Sequence, residues 1–107
     1  YAHKIKKSEG KIDWNNSAES IIGKINGLYP NPGAWFIYNG ERYKVLKAEI
    51  SNGMGKIGTV LNDYLEVSCY DKSVKILEIQ REGKRPQNIN EFMLGSQIKK
   101  RSNLNNA

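Results

Sequence analysis

With one cysteine, Cys69, the chain cannot form an internal disulfide, which fits a reducing compartment and points to a cytoplasmic location. One histidine, His3, and that one cysteine cannot supply the usual ligand set of a metal centre. No carboxylate or serine pattern surrounds His3 to make it a catalytic base, so it reads as structural or exposed. Cys69, on a predicted strand, reads as a small buried apolar group. There is no glycine-rich phosphate loop and no nucleophile elbow. No apolar run approaches the roughly 20 residues that span a bilayer, and no signal peptide is present. These absences exclude disulfide scaffolds, common metalloenzymes and helical membrane proteins, and they leave no catalytic residue to nominate.

What is present is a modest apolar share and an excess of cations. The 107 residues are 38% hydrophobic and 26% charged, enough for one domain with a real core. The net charge of +6 is unevenly spread: +2 over residues 1–16, zero over 17–40, +2 over 41–61, −2 over 62–80 and +4 over 81–107. Excess at both ends and on one predicted hairpin favours a polyanionic partner. Nucleic acid comes before membrane, because no basic amphipathic helix accompanies the charge. The plain alternative is a solubilising surface excess.

Residues 1–16 lack a period and read as an extended entry segment anchored by Ile5, Ile12 and Trp14. Asp13 and Trp14 read as a turn cap and a packing residue at the entry to the first helix. That helix starts at Asn16 or Ser17, whose side chains can accept the free N–H groups of a first turn. Ile21, Ile22, Ile25 and Leu28 form its apolar stripe, and Pro30 ends it. "AWFIY" then reads as a strand turning at Asn39-Gly40, a pair that tolerates positive φ in a two-residue hairpin turn. The returning stretch "ERYKVLKAEI" is a strand whose alternation changes phase. Tyr43 and Val45 share one face; Leu46, Ala48 and Ile50 share one face after the change. Such a phase change marks a β-bulge, which would keep Lys44 and Lys47 both outside and turn Tyr43 inward. "IGTVL", "YLEVSCY" and "VKILEIQ" supply three more strands, with a tight turn at Asn62-Asp63. Asn88 and Glu91 start a short final helix that stops at Gly95. The end, "KKRSNLNNA", is polar and expected to fray.

Five short strands in meander-like order with flanking helices predict a mainly β protein, an OB-like five-stranded barrel. The expected organisation is an entry segment over 1–16, the barrel domain over 17–98 and a basic polar tail over 99–107.

The blocks "YAHKIKKSEGKIDW", "LYPNPGAWF", "KVLKAEI", "GTVL" and "ILEIQREGKRPQNINEFMLG", in this order and spacing, resemble the C-terminal domain of the methionyl-tRNA formyltransferase family. The likeness runs from Tyr1 to about Gln97. It is most specific at Tyr29, Pro30, Pro32, Gly33, Ala34 and Trp35. It implies a module that follows an N-terminal catalytic domain absent from this chain. The chain opens on Tyr1 rather than Met, as a fragment or processed product would. The family transfers a formyl group from the co-substrate 10-formyltetrahydrofolate to the methionine of initiator tRNA. This domain would hold the tRNA through a basic surface, without a cofactor, metal or catalysis of its own. A related expectation is a structural or substrate-channel domain of another formyltransferase; a third is a free-standing nucleic-acid-binding module.

For tRNA contact the candidates are Lys84 and Arg85 in a glycine-preceded loop, then Arg42, Lys44 and Lys47 on the hairpin, then Lys4, Lys6 and Lys7 near the domain junction. Lys and Arg at such positions neutralise phosphates and release counterions, with little sequence preference. Lys99, Lys100 and Arg101 form the densest basic run but belong to the expected tail. Tyr29, Trp35, Tyr38, Tyr64 and Tyr70 could offer stacking platforms, though packing in the core or at its rim is the commoner role of aromatics.

Overall fold

The computed structural model describes residues 10–96 and 98–105. Helix α1 spans Ala18–Leu28. Ser17 caps it, its side chain accepting from the Ser20 N–H at 3.1 Å. A second acceptor comes from far along the chain: Asp71 Oδ1 takes the Ala18 N–H at 3.0 Å. Asp13 plays the turn-capping part expected of it, Oδ1 accepting the Asn15 N–H at 3.0 Å. Ala18, Ile21 and Ile25 are buried along one side of α1, as the stripe requires. The helix ends before two cis X–Pro bonds, Tyr29–Pro30 and Asn31–Pro32.

Strands β1 (Ala34–Tyr38) and β2 (Glu41–Ser51) form the predicted hairpin. Asn39 and Gly40 have φ of 51° and 78°, the two positive values that a type I′ turn needs. β3 covers Glu66–Ser68, β4 Ser73–Arg81 and β5 Gln87–Asn88. The sheet is antiparallel and five-stranded in the order β1-β2-β4-β3, with β5 also pairing β4. β3 meets the first part of β4 (Ser73–Lys75), and β5 meets Glu78 and Ile79. The fold is therefore mainly β, a curled, barrel-like sheet with two short helices. Its strand order departs from a meander, because β4 lies between β2 and β3. Helix α2, Ile89–Leu94, starts at Asn88, whose side chain accepts the Glu91 N–H at 2.8 Å, and ends at Gly95.

The phase change in β2 is a true register irregularity. Val45 pairs Ile79 and Lys47 pairs Glu78, so Leu46 is the extra residue on β2; Ala48 then pairs Ile76, so Leu77 is the extra residue on β4. Both strands switch faces at the same point, just beyond Val45, the last residue of β2 that pairs β1. Tyr43 and Val45 point inward before the switch, and Ala48 packs against the core after it. Lys44 and Lys47 both take the outer side. Ile50, expected to share a face with Ala48, pairs buried Val74 but lies 43% exposed, on the stretch of β2 that has no β1 alongside.

Two further expectations are corrected. "IGTVL" is not a strand; residues 57–61 contribute only isolated bridges, Thr59 to Asn103 and Val60 to Val67. The fifth strand is instead Gln87–Asn88. The C-terminal stretch, expected to fray, is docked over 98–105. Val60 N–H donates to Ser102 O at 2.8 Å, Arg101 N–H to Val60 O at 2.8 Å, and Leu104 N–H to Gly58 O at 2.7 Å. Ile98 and Leu104 are buried. Two apolar side chains and three backbone bonds outweigh the polar composition around them.

Gly58 is the hinge pin of that docking. It has φ of +83°, and a Cβ there would meet Asn105 Cβ at 2.6 Å. Gly58→Ala is expected to destabilise the domain by about 1–3 kcal/mol. Denaturant unfolding measures the loss, and faster amide exchange at Val60 and Leu104 places it. An unchanged midpoint with unchanged exchange would refute the docking role.

The core continues into the entry segment. Ile12 and Trp14 are buried, and Ile12 N–H donates to Trp35 O at 2.8 Å along the edge of β1. Cys69 is buried too, and burial pushes its thiol pKa up, as befits an inert packing group.

Candidate nucleic-acid interface

The hairpin turn dictates which side chains of β1 and β2 share a face. From Tyr38 paired with Glu41, the register gives Ile37 with Arg42 and Trp35 with Lys44; β4 then adds Gln80 opposite Lys44. Trp35, Lys44 and Gln80 thus form one row across the outer face, with Arg42 a diagonal neighbour. The row lines a cleft of about 420 Å³ together with Asn31, Pro32, Glu82 and Gly83. Within it the Arg42 guanidinium carbon lies 4.2 Å from the centre of the Trp35 ring. Arg42 Nε is 4.0 Å from Glu82 Oε2. Lys44 Nζ approaches Pro30 O at 3.5 Å, a weak tether.

A second cleft, about 360 Å³, opens beside Glu41, Tyr43, Arg81, Lys84, Arg85 and Glu91. Here the cations are partly matched by acids. Arg81 donates to Glu41 in an ion pair, and that bond holds the Glu41 carboxyl below its usual range. Burial pushes the Tyr43 hydroxyl up, helped by the Glu41 charge that accepts its hydrogen bond at 3.3 Å. Arg85 approaches Glu91 at 3.9 Å with its side chain 82% exposed, a pair of little energetic weight. Among the described residues, Lys84 and Lys47 form no ion pair.

Residues 80–85 contribute to both clefts. Gln80, Glu82 and Gly83 line the first; Arg81, Lys84 and Arg85 line the second. The turn between them is closed by the Lys84 N–H to Arg81 O bond at 2.9 Å and the Gln80 Nε2 to Lys84 O bond at 2.9 Å. Of the residues nominated from sequence, Arg42 and Lys44 therefore meet in one cleft, Lys84 and Arg85 in the other, and Lys47 stands exposed on β2 opposite Glu78. Lys4, Lys6 and Lys7, with His3, lie outside the described residues. Of the five aromatics weighed as platforms, Tyr29, Tyr64 and Tyr70 are exposed, against the packing role expected of most. Trp35 is buried beneath Arg42.

The sequence reading missed the partnership of Trp35 with Arg42 and the part of Gln80 and Glu82. A signal for the first was available. Once Asn39-Gly40 is a two-residue turn, counting outward sets Trp35 opposite Lys44 and diagonal to Arg42.

The curled β-sheet carries cations at two clefts, and the chain belongs to the formyl transferase C-terminal domain family, whose model matches residues 4–97. Along its full length it is 66% identical to the methionyl-tRNA formyltransferase of Pelagibacter ubique (strain HTCC1062), covering 35% of that protein. Over 94% of the chain it is 45% identical to the methionyl-tRNA formyltransferase of Rickettsia prowazekii (strain Madrid E), covering 34% of it. The chain thus spans about a third of the length of the curated relatives it matches. Among solved structures, HypX from Aquifex aeolicus in complex with tetrahydrofolic acid superposes with a TM-score of 0.72 at 19% identity, over 86% of this chain and 17% of that one. At that identity the likeness is one of fold.

Proposed function

We propose that this chain is the tRNA-holding C-terminal module of a methionyl-tRNA formyltransferase. It grips the sugar–phosphate backbone with Lys84, Arg85, Arg42, Lys44 and Lys47, joined by Lys4, Lys6 and Lys7. The observation that carries the reading is that segment 80–85 lies between two clefts that hold four of these cations. An A-form RNA helix has a deep, narrow major groove, so a protein meets it mainly through phosphates and 2′-hydroxyls. Cations displayed from two strands and a turn suit that task. On this reading the parent enzyme is a cytoplasmic transferase, its N-terminal domain performs formyl transfer from 10-formyltetrahydrofolate, and initiator tRNA is the shared partner. Choice of the initiator then rests largely with that other domain.

Backbone amide mapping tests the assignment. Adding tRNA at low salt is expected to move or broaden the signals of Arg42, Lys44, Lys47, Lys84 and Arg85. Buried residues of the acidic stretch 62–80, such as Val67 on β3 and Val74 on β4, should stay in place. Perturbation confined to other surfaces would overturn it.

A further inference from the structure

The cleft over Trp35 has properties that backbone holding does not require. Arg42 is held between an indole and a carboxylate: its guanidinium carbon sits 4.2 Å from the Trp35 ring centre, and Glu82 lies 4.0 Å from its Nε. That Nε is buried and has no hydrogen-bond partner among the described residues, an unmet donor at the wall of a cleft of about 420 Å³. The volume falls within the range of small-ligand sites, roughly 300–1,000 Å³. Among the described residues, the Lys44 ammonium, one position along the row, is met only by Pro30 O at 3.5 Å. Gln80 spends its Nε2 on Lys84 O, which leaves its amide oxygen to accept.

A guanidinium fixed on an aromatic ring is a planar platform, and unpaired RNA bases stack on such planes. A cation beside it suits the phosphate of the same nucleotide. A carboxylate and an amide oxygen at the rim suit the exocyclic amino and ring N–H donors of a base edge. We infer that this cleft holds one unpaired nucleotide of a bound RNA, its base stacked on Arg42 over Trp35 and its phosphate on Lys44. The inference rests on the tRNA reading for the source of that nucleotide. It differs from it in requiring a base where the other requires only phosphates.

The test uses the 107-residue chain, ¹⁵N-labelled, with the Trp35 indole and Arg42 Nε signals as reporters. Trp14 supplies an internal control, being fully buried. The probes are nucleoside 5′-monophosphates, ribose 5-phosphate and a short single-stranded RNA. The nucleotides are expected to shift both reporters and to bind at least about fivefold more tightly than ribose 5-phosphate, the least that one stacked base contributes. The single-stranded RNA should shift the same reporters at lower concentration; if only the free nucleotide does so, the site is not one for RNA. Arg42→Lys keeps the charge and removes the plane. It should weaken nucleotide binding about fivefold while leaving ribose 5-phosphate within about twofold. Equal binding of nucleotide and ribose 5-phosphate by the unaltered chain would overturn the proposal without any variant, and unchanged nucleotide binding by a folded Arg42→Lys would do so as well. Failure of the tRNA reading shows elsewhere, as absence of salt-dependent tRNA binding by the unaltered chain.

Discussion

Replacing Lys84 and Arg85 together by alanine is expected to weaken tRNA binding about 30–100-fold near 0.1 M salt and to flatten the log–log salt slope by about two units. Each phosphate contact contributes about one unit of slope, and the two forms should converge towards 1 M salt, which sets the size of the gap at 0.1 M. The prediction rests on the surroundings of the two residues. Arg85 has its side chain 82% exposed and, among the described residues, pairs no closer than 3.9 Å with an acid, Glu91, a contact too weak to consume its charge. Lys84 contributes its backbone, not its side chain, to the turn: its N–H and C=O bond Arg81 O and Gln80 Nε2. Alanine keeps both bonds. Folding stability should therefore change by less than about 0.5 kcal/mol. A binding loss accompanied by an unchanged melting temperature is the signature to look for in a filter-binding or anisotropy series. A slope unchanged by the double replacement would remove these two residues from the contact.

Phe36→Ala is expected to have the largest effect on the fold, a loss of about 3–5 kcal/mol. Phe36 is the middle of an aromatic row that joins four parts of the chain. It meets Trp14 of the entry segment edge-on, with centroids 6.2 Å apart, and stacks on Tyr43 of β2 at 5.4 Å; Tyr43 in turn meets Phe92 of α2 at 5.7 Å. Removing the central ring opens a cavity where these parts converge. Against a total stability of about 5–15 kcal/mol for a domain, that is a large fraction. The melting temperature should fall by roughly 15 °C or more, and Phe36→Leu should recover much of it. A shift of only a few degrees would mean that the row is not the organising contact of the core. Because Phe36 points inward beside outward-facing Trp35 on the same strand, its loss should harm binding only in proportion to the unfolded fraction.

The local parts of this architecture were legible because short-range chemistry specifies them. Ser17 before an apolar stripe, Asn39-Gly40 between alternating runs, Asn88 with Glu91 and the two-face pattern of β2 each carry their own physical reason, and each appears in the structure. The parts that were not legible depend on partners distant in sequence. Residues 57–61 look like a strand by composition but bridge only to single residues, one of them Asn103 in a segment with no alternation at all. Leu104 is one apolar residue among asparagines, too little pattern to announce a docked chain end. β5 is two polar residues, and its pairing is set by Glu78 and Ile79 on β4. The same holds for the site. The cations were individually visible, whereas their division between two clefts follows from how segment 80–85 turns, and the seat of Arg42 on Trp35 follows from cross-strand register.

Equilibrium binding of the unaltered chain to initiator and elongator tRNAs, titrated from low to physiological salt, tests the central claim most directly. A backbone-holding module binds both with similar affinity, and log K falls linearly with log salt at a slope of about −3 or steeper, as several phosphate contacts require. A flat salt dependence, or no binding at low salt, would contradict the account and return the excess of cations to the role of a solubilising surface.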